Sequence, residues 1–198
     1  MADLASLSTG TAYALLAVLV FAESGVLLGF FLPGDTVLFA AGLLTGAGGA
    51  LSLPVLVAIV LLTAVTGDAV GYATGRRAGP ALFERRAGRV LNPRTLARAR
   101  RFYGSYGPMA VIAARWIPWV RTFTPLMAGA ARMPYARFLV ANVVGAITWG
   151  AGLLLLGHLA ASSPALRGSA GGIAAVVVAL SVTGGAAQHL RRRRAQAD

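Results

Sequence analysis

The sequence predicts an all-α polytopic membrane protein, and three observations point to this class. Of the 198 residues, 57% are hydrophobic and only 12% are charged, whereas an ordinary soluble domain is about 25% charged. Several apolar stretches reach the length of about 20 residues that a helix needs to cross a bilayer. Other apolar stretches are shorter and are interrupted by proline, which predicts helices that enter the membrane and turn back.

The expected elements follow the apolar stretches along one membrane domain that covers residues 1–198. They are a re-entrant hairpin (12–46), a span (54–75), a cytoplasmic Arg-rich loop (76–107), a second re-entrant hairpin (108–131), spans (138–159 and 171–187) and a basic tail (188–198). The hairpins turn at Pro33-Gly34-Asp35 and between Pro118 and Pro125. A hairpin followed by a span occurs twice, so we predict an inverted repeat with about three full transmembrane helices, as in many transporters. Two kinked ordinary spans are the alternative to the hairpins.

The arginines predict how the chain is oriented. The net charge is +12, nine arginines lie between Arg76 and Arg101, and four more form Arg191–Arg194. Basic clusters beside apolar spans are typical of cytoplasmic loops, so we expect the Arg-rich loop and the C-terminus in the cytoplasm. Part of this loop is predicted to be an amphipathic helical segment that contacts anionic membrane lipids or only anchors the topology. The same placement argues against a nucleic-acid partner.

Charged side chains inside the apolar segments are the candidate site. A charge at membrane depth costs at least about 2.5 kcal/mol, so it is usually paired or functional. Arg115 and Arg121 lie in the second hairpin, and a guanidinium offers a planar fork of donors that suits phosphate oxygens. We therefore predict that they bind a lipid phosphate headgroup. The alternative is that both arginines only pair with Glu23 and Asp35.

Glu23, Asp35 and Asp68 are predicted to be proton-coupling or counter-ion groups. Burial favours the neutral form of a carboxylate, whereas a neighbouring guanidinium favours the charged form. Such an acid can exchange a proton when its partner leaves. Asp68 has a structural alternative as the anchor of a packed helix through Tyr72 or Arg76. The glycines that predict this packed face stand four residues apart at Gly67, Gly71 and Gly75.

Other residues are expected to shape or support the site. The predicted hairpin-shaping residues are Pro33, Gly34, Pro118, Pro125 and Gly129. Tyr72, Asn142 and Trp149 are predicted to support it, with Asn142 hydrogen-bonding a hairpin carbonyl. The chain has no cysteine, and His158 and His189 have no neighbours typical of a metal or catalytic site. We expect neither a metal nor another cofactor, and we expect a protein that is not an enzyme.

The run from Arg115 through Pro118, Arg121 and Pro125 to Gly129 resembles the signature of the DedA family. This family is also known as the SNARE-associated or VTT-domain membrane proteins. Earlier segments are similar to its N-terminal motifs, and the resemblance extends from about residue 20 to 155. The matching N-terminal segments are Glu23, Pro33-Gly34-Asp35 and residues 67–76.

The resemblance implies lipid translocation in the bacterial inner membrane. It implies a flippase for a phosphate-bearing lipid, undecaprenyl phosphate above all, and a dependence on proton-motive force. A passive phospholipid scramblase and a non-transporting scaffold for membrane homeostasis are the alternatives. The sequence is compatible with a monomer or an oligomer.

Overall fold

The computed structural model of this protein describes residues 2–25, 34–85 and 93–162, and all regular elements in these ranges are helical. They are α1 (Ala2–Gly25), α2 (Gly34–Gly46), α3 (Leu53–Arg85), α4 (Pro93–Ala114), α5 (Pro118–Ala130), α6 (Tyr135–Ala146), a π-helical segment (Ile147–Ala151) and α7 (Gly152–Ser162). The predicted all-α class is confirmed for this part of the chain. Pro33, the predicted span 171–187 and the basic tail 188–198 lie outside the described residues.

Two helical stretches in the described ranges are long and apolar enough to cross a membrane. Leu53–Gly79 has 27 residues with a mean hydropathy of 2.2, and Tyr135–Ser162 has 28 residues with a mean hydropathy of 2.0. At 1.5 Å per residue each is about 40 Å long, which exceeds the hydrocarbon thickness of about 30 Å. These stretches contain the predicted spans 54–75 and 138–159. The apolar part of α1, Thr9–Ser24, and α2 are shorter.

The chain forms two compact units. The first consists of residues 1–32 and 55–152, and the second of residues 33–54 and 153–198. In the first unit α4 packs against α5 and α6, and α1 contacts α5. Its core is aromatic and aliphatic, and it contains Tyr72, Val111, Ala128, Met133, Phe138 and Ala141. Because the two arms of the predicted first hairpin belong to different units, that hairpin stays a prediction.

Glycines let α3 lie directly on α5. A Cβ at Gly75 would collide with the backbone carbonyl of Leu126, and a Cβ at Gly129 would collide with that of Tyr72. Gly71 faces the ring of Pro125, whose Cβ would lie 3.1 Å from an added methyl group. The face predicted from the four-residue glycine spacing therefore packs closely, in the manner of small-residue contacts between membrane helices.

The turn of the second hairpin is shorter than predicted. Three residues, 115–117, separate α4 from α5, and α5 begins at Pro118. Proline suits the first helical position because no donor is needed there, and it holds the preceding Ile117 extended (φ −114°, ψ 107°). Pro125 lies inside α5. The prediction that the chain turns between these two prolines is therefore wrong, although a helix–turn–helix remains.

The predicted Arg-rich loop is largely helical where the structure describes it. Helix α3 continues to Arg85, and α4 begins at Pro93. Within α4, Gly107 has a positive φ of 50° and marks a kink before Pro108. Glycine adopts this conformation without steric cost. The kink coincides with the boundary predicted between the loop and the second hairpin.

The second unit is built around the close crossing of α2 and α7. A Cβ at Gly42 would collide with the carbonyl of Leu154, and a Cβ at Gly157 would collide with that of Phe39. Nδ1 of His158 lies 2.9 Å from Oγ1 of Thr45, whose hydroxyl donates to the carbonyl of Gly42 at 2.7 Å. Close glycine contacts, to which Gly46 against the carbonyl of His158 also belongs, and one polar contact thus join these helices.

Two predicted site residues lie at the start of α2, in the second unit. Gly34 is buried as its first residue, and Asp35 is half-buried in its first turn. A carboxylate at this position interacts favourably with the helix dipole. The predicted proton-coupling role of Asp35 stays a prediction.

Candidate functional site

A small polar cavity lies within the first unit. Its lining residues are Glu23, Ser24, Asp68, Arg115, Arg121, Thr122 and Trp149. They come from α1, α3, the turn after α4, α5 and the π-helical segment, so residues far apart in sequence meet here. The cavity has room for about one water molecule. Four of the five charged residues predicted for the site therefore share one small space.

Arg115 and Asp68 form the first ion pair of the cavity. Nη1 of Arg115 donates to Oδ2 of Asp68 at 2.7 Å, and both side chains are buried. Asp68 lies on α3 and Arg115 directly follows the end of α4. The structure therefore does not use Asp68 as an anchor for Tyr72 or Arg76, and it does not pair Arg115 with Glu23 or Asp35.

Asn142 extends this ion pair to α6. The same Nη1 of Arg115 donates to Oδ1 of Asn142 and, at 3.2 Å, to its backbone carbonyl. The amide nitrogen of Asn142 donates to the carbonyl of Val65 on α3 at 3.2 Å. The prediction that Asn142 serves a hairpin carbonyl is wrong because its amide instead bridges Arg115 and α3. Gly145, one turn further, leaves the space that the Arg115 side chain occupies.

Arg121 and Glu23 form the second ion pair. Nη2 of Arg121 donates to Oε1 of Glu23, which joins α5 to the C-terminal end of α1. The Glu23 side chain is 5% exposed and that of Arg121 is 11% exposed. Arg121 is therefore paired with a carboxylate here, as in the alternative in which the arginines serve only as structural counter-ions.

Trp149 lies close to both arginines. The guanidinium carbon of Arg121 is 4.4 Å from the ring centroid of Trp149, and that of Arg115 is 5.6 Å away. Cations at such distances are attracted to the face of an indole ring. Trp149 belongs to the π-helical segment, a geometry that often occurs at functional sites. The hydropathy pattern, which shows only a continuous span here, gave no signal for this segment.

Ser24 and Thr122 are cavity residues that the sequence reasoning missed. Each directly follows a charged residue of the cavity, Glu23 and Arg121, and Thr122 is only 5% exposed. A hydroxyl group next to a buried charge in an otherwise apolar segment is the signal that would have found both. Their hydroxyl groups add hydrogen-bonding capacity beside the ion pairs.

The remaining predicted residues support the packing around the site rather than line the cavity. Tyr72 donates its hydroxyl hydrogen to the carbonyl of Met133 and accepts a hydrogen bond from Arg76 at 3.1 Å. Its ring stacks on Phe138 at a centroid distance of 4.7 Å. Pro125 and Gly129 hold α5 against α3, as described above. Within the described ranges, no cluster of His, Asp or Glu side chains could hold a metal ion.

The charged groups of the cavity are two arginines, of which Arg115 is buried and Arg121 half-buried, and two buried carboxylates. Guanidinium groups bind phosphate and carboxylate oxygens with the same planar donors. A phosphate would therefore offer these donors the same type of contact as a carboxylate does.

The family model of the VTT domain matches residues 32–159 of this chain. The protein DedA of Escherichia coli (strain K12) is 33% identical over 186 residues, which are 93% of this chain and 85% of DedA. The chain belongs to the DedA family of VTT-domain membrane proteins. This membership confirms the resemblance described from the motifs and assigns the chain to a bacterial membrane.

Other relatives in the family are mycobacterial. An uncharacterized membrane protein of Mycobacterium leprae (strain TN) is 38% identical over 150 residues, which are 76% of this chain and 67% of that protein. An uncharacterized membrane protein of Mycobacterium tuberculosis (strain ATCC 25618 / H37Rv) is 39% identical over 148 residues, which are 74% of this chain and 65% of that protein. No solved structure matches the chain. Three of the four charged cavity residues fall inside the matched VTT domain, and Glu23 precedes it.

Proposed function

We propose that this DedA-family protein is a flippase that binds the phosphate headgroup of its lipid in the cavity of the first unit. The observation that supports this proposal is the pair of guanidinium groups that line one cavity, the buried Arg115 and the half-buried Arg121. A buried arginine is costly in a membrane protein and is usually retained for a function. The planar donors of a guanidinium suit the oxygens of a phosphate.

The small size of the cavity indicates how a headgroup would enter. A phosphate does not fit in a space for about one water molecule, so at least one carboxylate must first release its arginine. A buried carboxylate without its cation is unfavourable by several kcal/mol. It is therefore expected to take up a proton, which links the arrival of phosphate to proton uptake. This argument favours a proton-coupled flippase over a passive scramblase.

The types of residue in the cavity favour transport over catalysis. The two hydroxyl residues, Ser24 and Thr122, share the lining with carboxylates, arginines and one tryptophan. A hydroxyl nucleophile needs an adjacent base, most often histidine, and none of the seven lining residues is a histidine. We therefore propose that the lipid crosses the membrane chemically unchanged and that the transport needs no cofactor.

The amphipathic start of α4 supports a second part of the proposal, which concerns anionic lipids. Leu96 and Ala99 are buried, whereas Arg98 and Arg101 are exposed beside the exposed ring of Phe102. Arginines next to an aromatic ring are typical of helices that lie at a membrane surface. We propose that this face contacts the headgroups of anionic lipids.

Reconstitution into liposomes tests the proposed transport. Labelled undecaprenyl phosphate, phosphatidic acid and phosphatidylcholine would each be followed across the bilayer, with and without a pH gradient. A flippase of the proposed kind moves a lipid with a phosphate monoester fastest, and the gradient increases the rate. Equal movement of all three lipids without a gradient would identify a passive scramblase, and no movement would favour a scaffold.

A further inference from the structure

The two arginines of the cavity are held in different ways. We infer that the ion pair of Arg121 and Glu23 is the one that opens to admit phosphate, whereas the ion pair of Arg115 and Asp68 stays closed and braces the site. This inference rests on the proposed function. It assigns the exchange of carboxylate for phosphate to Arg121 and a fixed, structural role to Arg115.

Arg115 is fixed by contacts on two helices. One of its nitrogens donates to Asp68 on α3 and to both the side chain and the backbone of Asn142 on α6. Its aliphatic stem runs against Gly145, where an added Cβ would lie 2.9 Å from Cδ of Arg115. A phosphate that drew this guanidinium away would break three hydrogen bonds together and pull the stem from its groove.

Asp68 and Asn142 are themselves fixed. Asn142 is fully buried and donates to the carbonyl of Val65, one turn before Asp68. The part of α3 that follows Asp68 lies on α5 through Gly71 and Gly75. A shift of Asp68 would therefore disturb this close contact between α3 and α5, so the ion pair of Arg115 and Asp68 resists opening.

The guanidinium of Arg121 has a contact with Trp149 that does not depend on its ion pair with Glu23. Its guanidinium lies 4.4 Å from the centre of the Trp149 ring, and this contact holds the group over the ring by cation–π attraction. The donors of the guanidinium stay in its plane, so they can exchange a carboxylate for a phosphate while the ring contact is kept. Trp149 is on this account a positioning residue for the exchange.

Glu23 is placed to be the group that leaves. It lies on α1, whereas Asp68 lies on the helix that the close contact between α3 and α5 holds in place. The charged groups that line the cavity with it are Arg121, Arg115 and Asp68. When phosphate occupies Arg121 and Arg115 keeps Asp68, Glu23 is the carboxylate expected to take up the proton.

The inference predicts that Glu23 and phosphate compete for one guanidinium. Removal of the Glu23 charge should therefore tighten phosphate binding. Removal of the Asp68 charge should tighten binding much less and should weaken the fold, because Asp68 holds Arg115 in place.

A fluorescence titration tests this division. The chain has three tryptophans, so the double variant Trp116→Phe/Trp119→Phe leaves Trp149 as the one reporter beside Arg121. The protein in detergent micelles is titrated with dioctanoyl phosphatidic acid, and dioctanoylglycerol, which lacks the phosphate, is the control ligand. Glu23→Gln and Asp68→Asn are compared in this background, together with their thermal unfolding midpoints.

The expected result is that Glu23→Gln binds phosphatidic acid about tenfold more tightly, while Asp68→Asn tightens binding by at most about threefold and unfolds at a lower temperature. Equal tightening in both variants, tightening in Asp68→Asn alone, or an unfolded Glu23→Gln would overturn the inference. If no protein, parent or variant, distinguishes phosphatidic acid from dioctanoylglycerol, the proposed function itself fails. Binding that all variants share equally would instead refute only the division of roles.

Discussion

Arg121 shows why the type of cation matters at the scale of one residue. Its guanidinium lies on the Trp149 ring and donates to Glu23 from its edge. A planar cation can make both contacts at once, because the ring meets its face and the oxygens meet its edge. The ammonium of lysine is a point charge with no such division between face and edge.

Arg121→Lys is therefore expected to reduce lipid transport by at least about tenfold, although the charge is kept. The measurement is the transport of labelled undecaprenyl phosphate in liposomes. Arg137→Lys is the matched control, since Arg137 is exposed on α6, and its rate should stay within about twofold of the parent. Equal rates for the two variants would reduce Arg121 to a structural counter-ion.

Gly145 provides a second test at the residue scale. An added Cβ there would lie 2.9 Å from Cδ of Arg115, whose head is held by Asp68 and Asn142. Gly145→Ala should lower the free energy of unfolding by about 1–3 kcal/mol, as overpacking of a filled space does. Gly152→Ala is the control, because nothing lies within 4 Å of its added Cβ. Equal stabilities of the two variants in a denaturant titration would show that the Arg115 stem moves aside freely.

The residue types of the site could be predicted from sequence, but their partners could not. Buried charges in apolar segments selected Glu23, Asp68, Arg115 and Arg121, because a membrane rarely tolerates a charge without a use. Which carboxylate meets which guanidinium depends on helix packing, and hydropathy carries no information about it. The sequence also indicates Asn142 as a supporting residue, but its predicted hydrogen-bond partner is wrong.

At the scale of the helices, the contact between α3 and α5 determines where Asp68 and Arg121 stand. The two helices approach so closely that the backbone of one meets the glycines of the other at Gly75 and Gly129. Close backbone approach is a main source of association between membrane helices, since apolar side chains gain little by leaving lipid.

Gly129→Ala should force α5 away from α3, because the added Cβ would collide with the carbonyl of Tyr72. We expect a loss of at least about 2 kcal/mol in the free energy of unfolding, since backbone atoms cannot rotate aside. Transport should fall as well, because α5 carries Arg121. Gly104→Ala in α4, with open space around its added Cβ, should change neither quantity, and an equal effect of the two variants would contradict the close contact.

The helices confirm one prediction from local sequence patterns and contradict another. The four-residue glycine spacing predicted the packed face of α3. The predicted position of the prolines is wrong. The sequence suggests that both lie in the turn, whereas Pro118 starts α5 and Pro125 lies within it. Proline forbids a donor at its own position but not a helix that begins there. The π-helical segment around Trp149 has no counterpart in the hydropathy periodicity.

For the whole molecule, the distribution of charge predicts the direction in which α3 crosses the membrane. No arginine precedes Arg76, and the exposed arginines of the first unit begin at the C-terminal part of this helix. Basic residues stay on the cytoplasmic side of bacterial membranes. The residues before α3 are therefore expected outside the cell and the start of α4 inside it.

Single cysteines test this orientation, because the chain contains no cysteine of its own. Ala50 and Ala97 are exposed positions before and after the apolar stretch Leu53–Gly79. A cysteine at Ala50 should react with a membrane-impermeant maleimide added to intact cells, and a cysteine at Ala97 should react only after the membrane is opened. Since one crossing of about 40 Å separates the two positions, labelling of both from the same side would show that α3 does not span the bilayer. It would also remove the inverted repeat, because two hairpins of opposite orientation require an odd number of crossings between them.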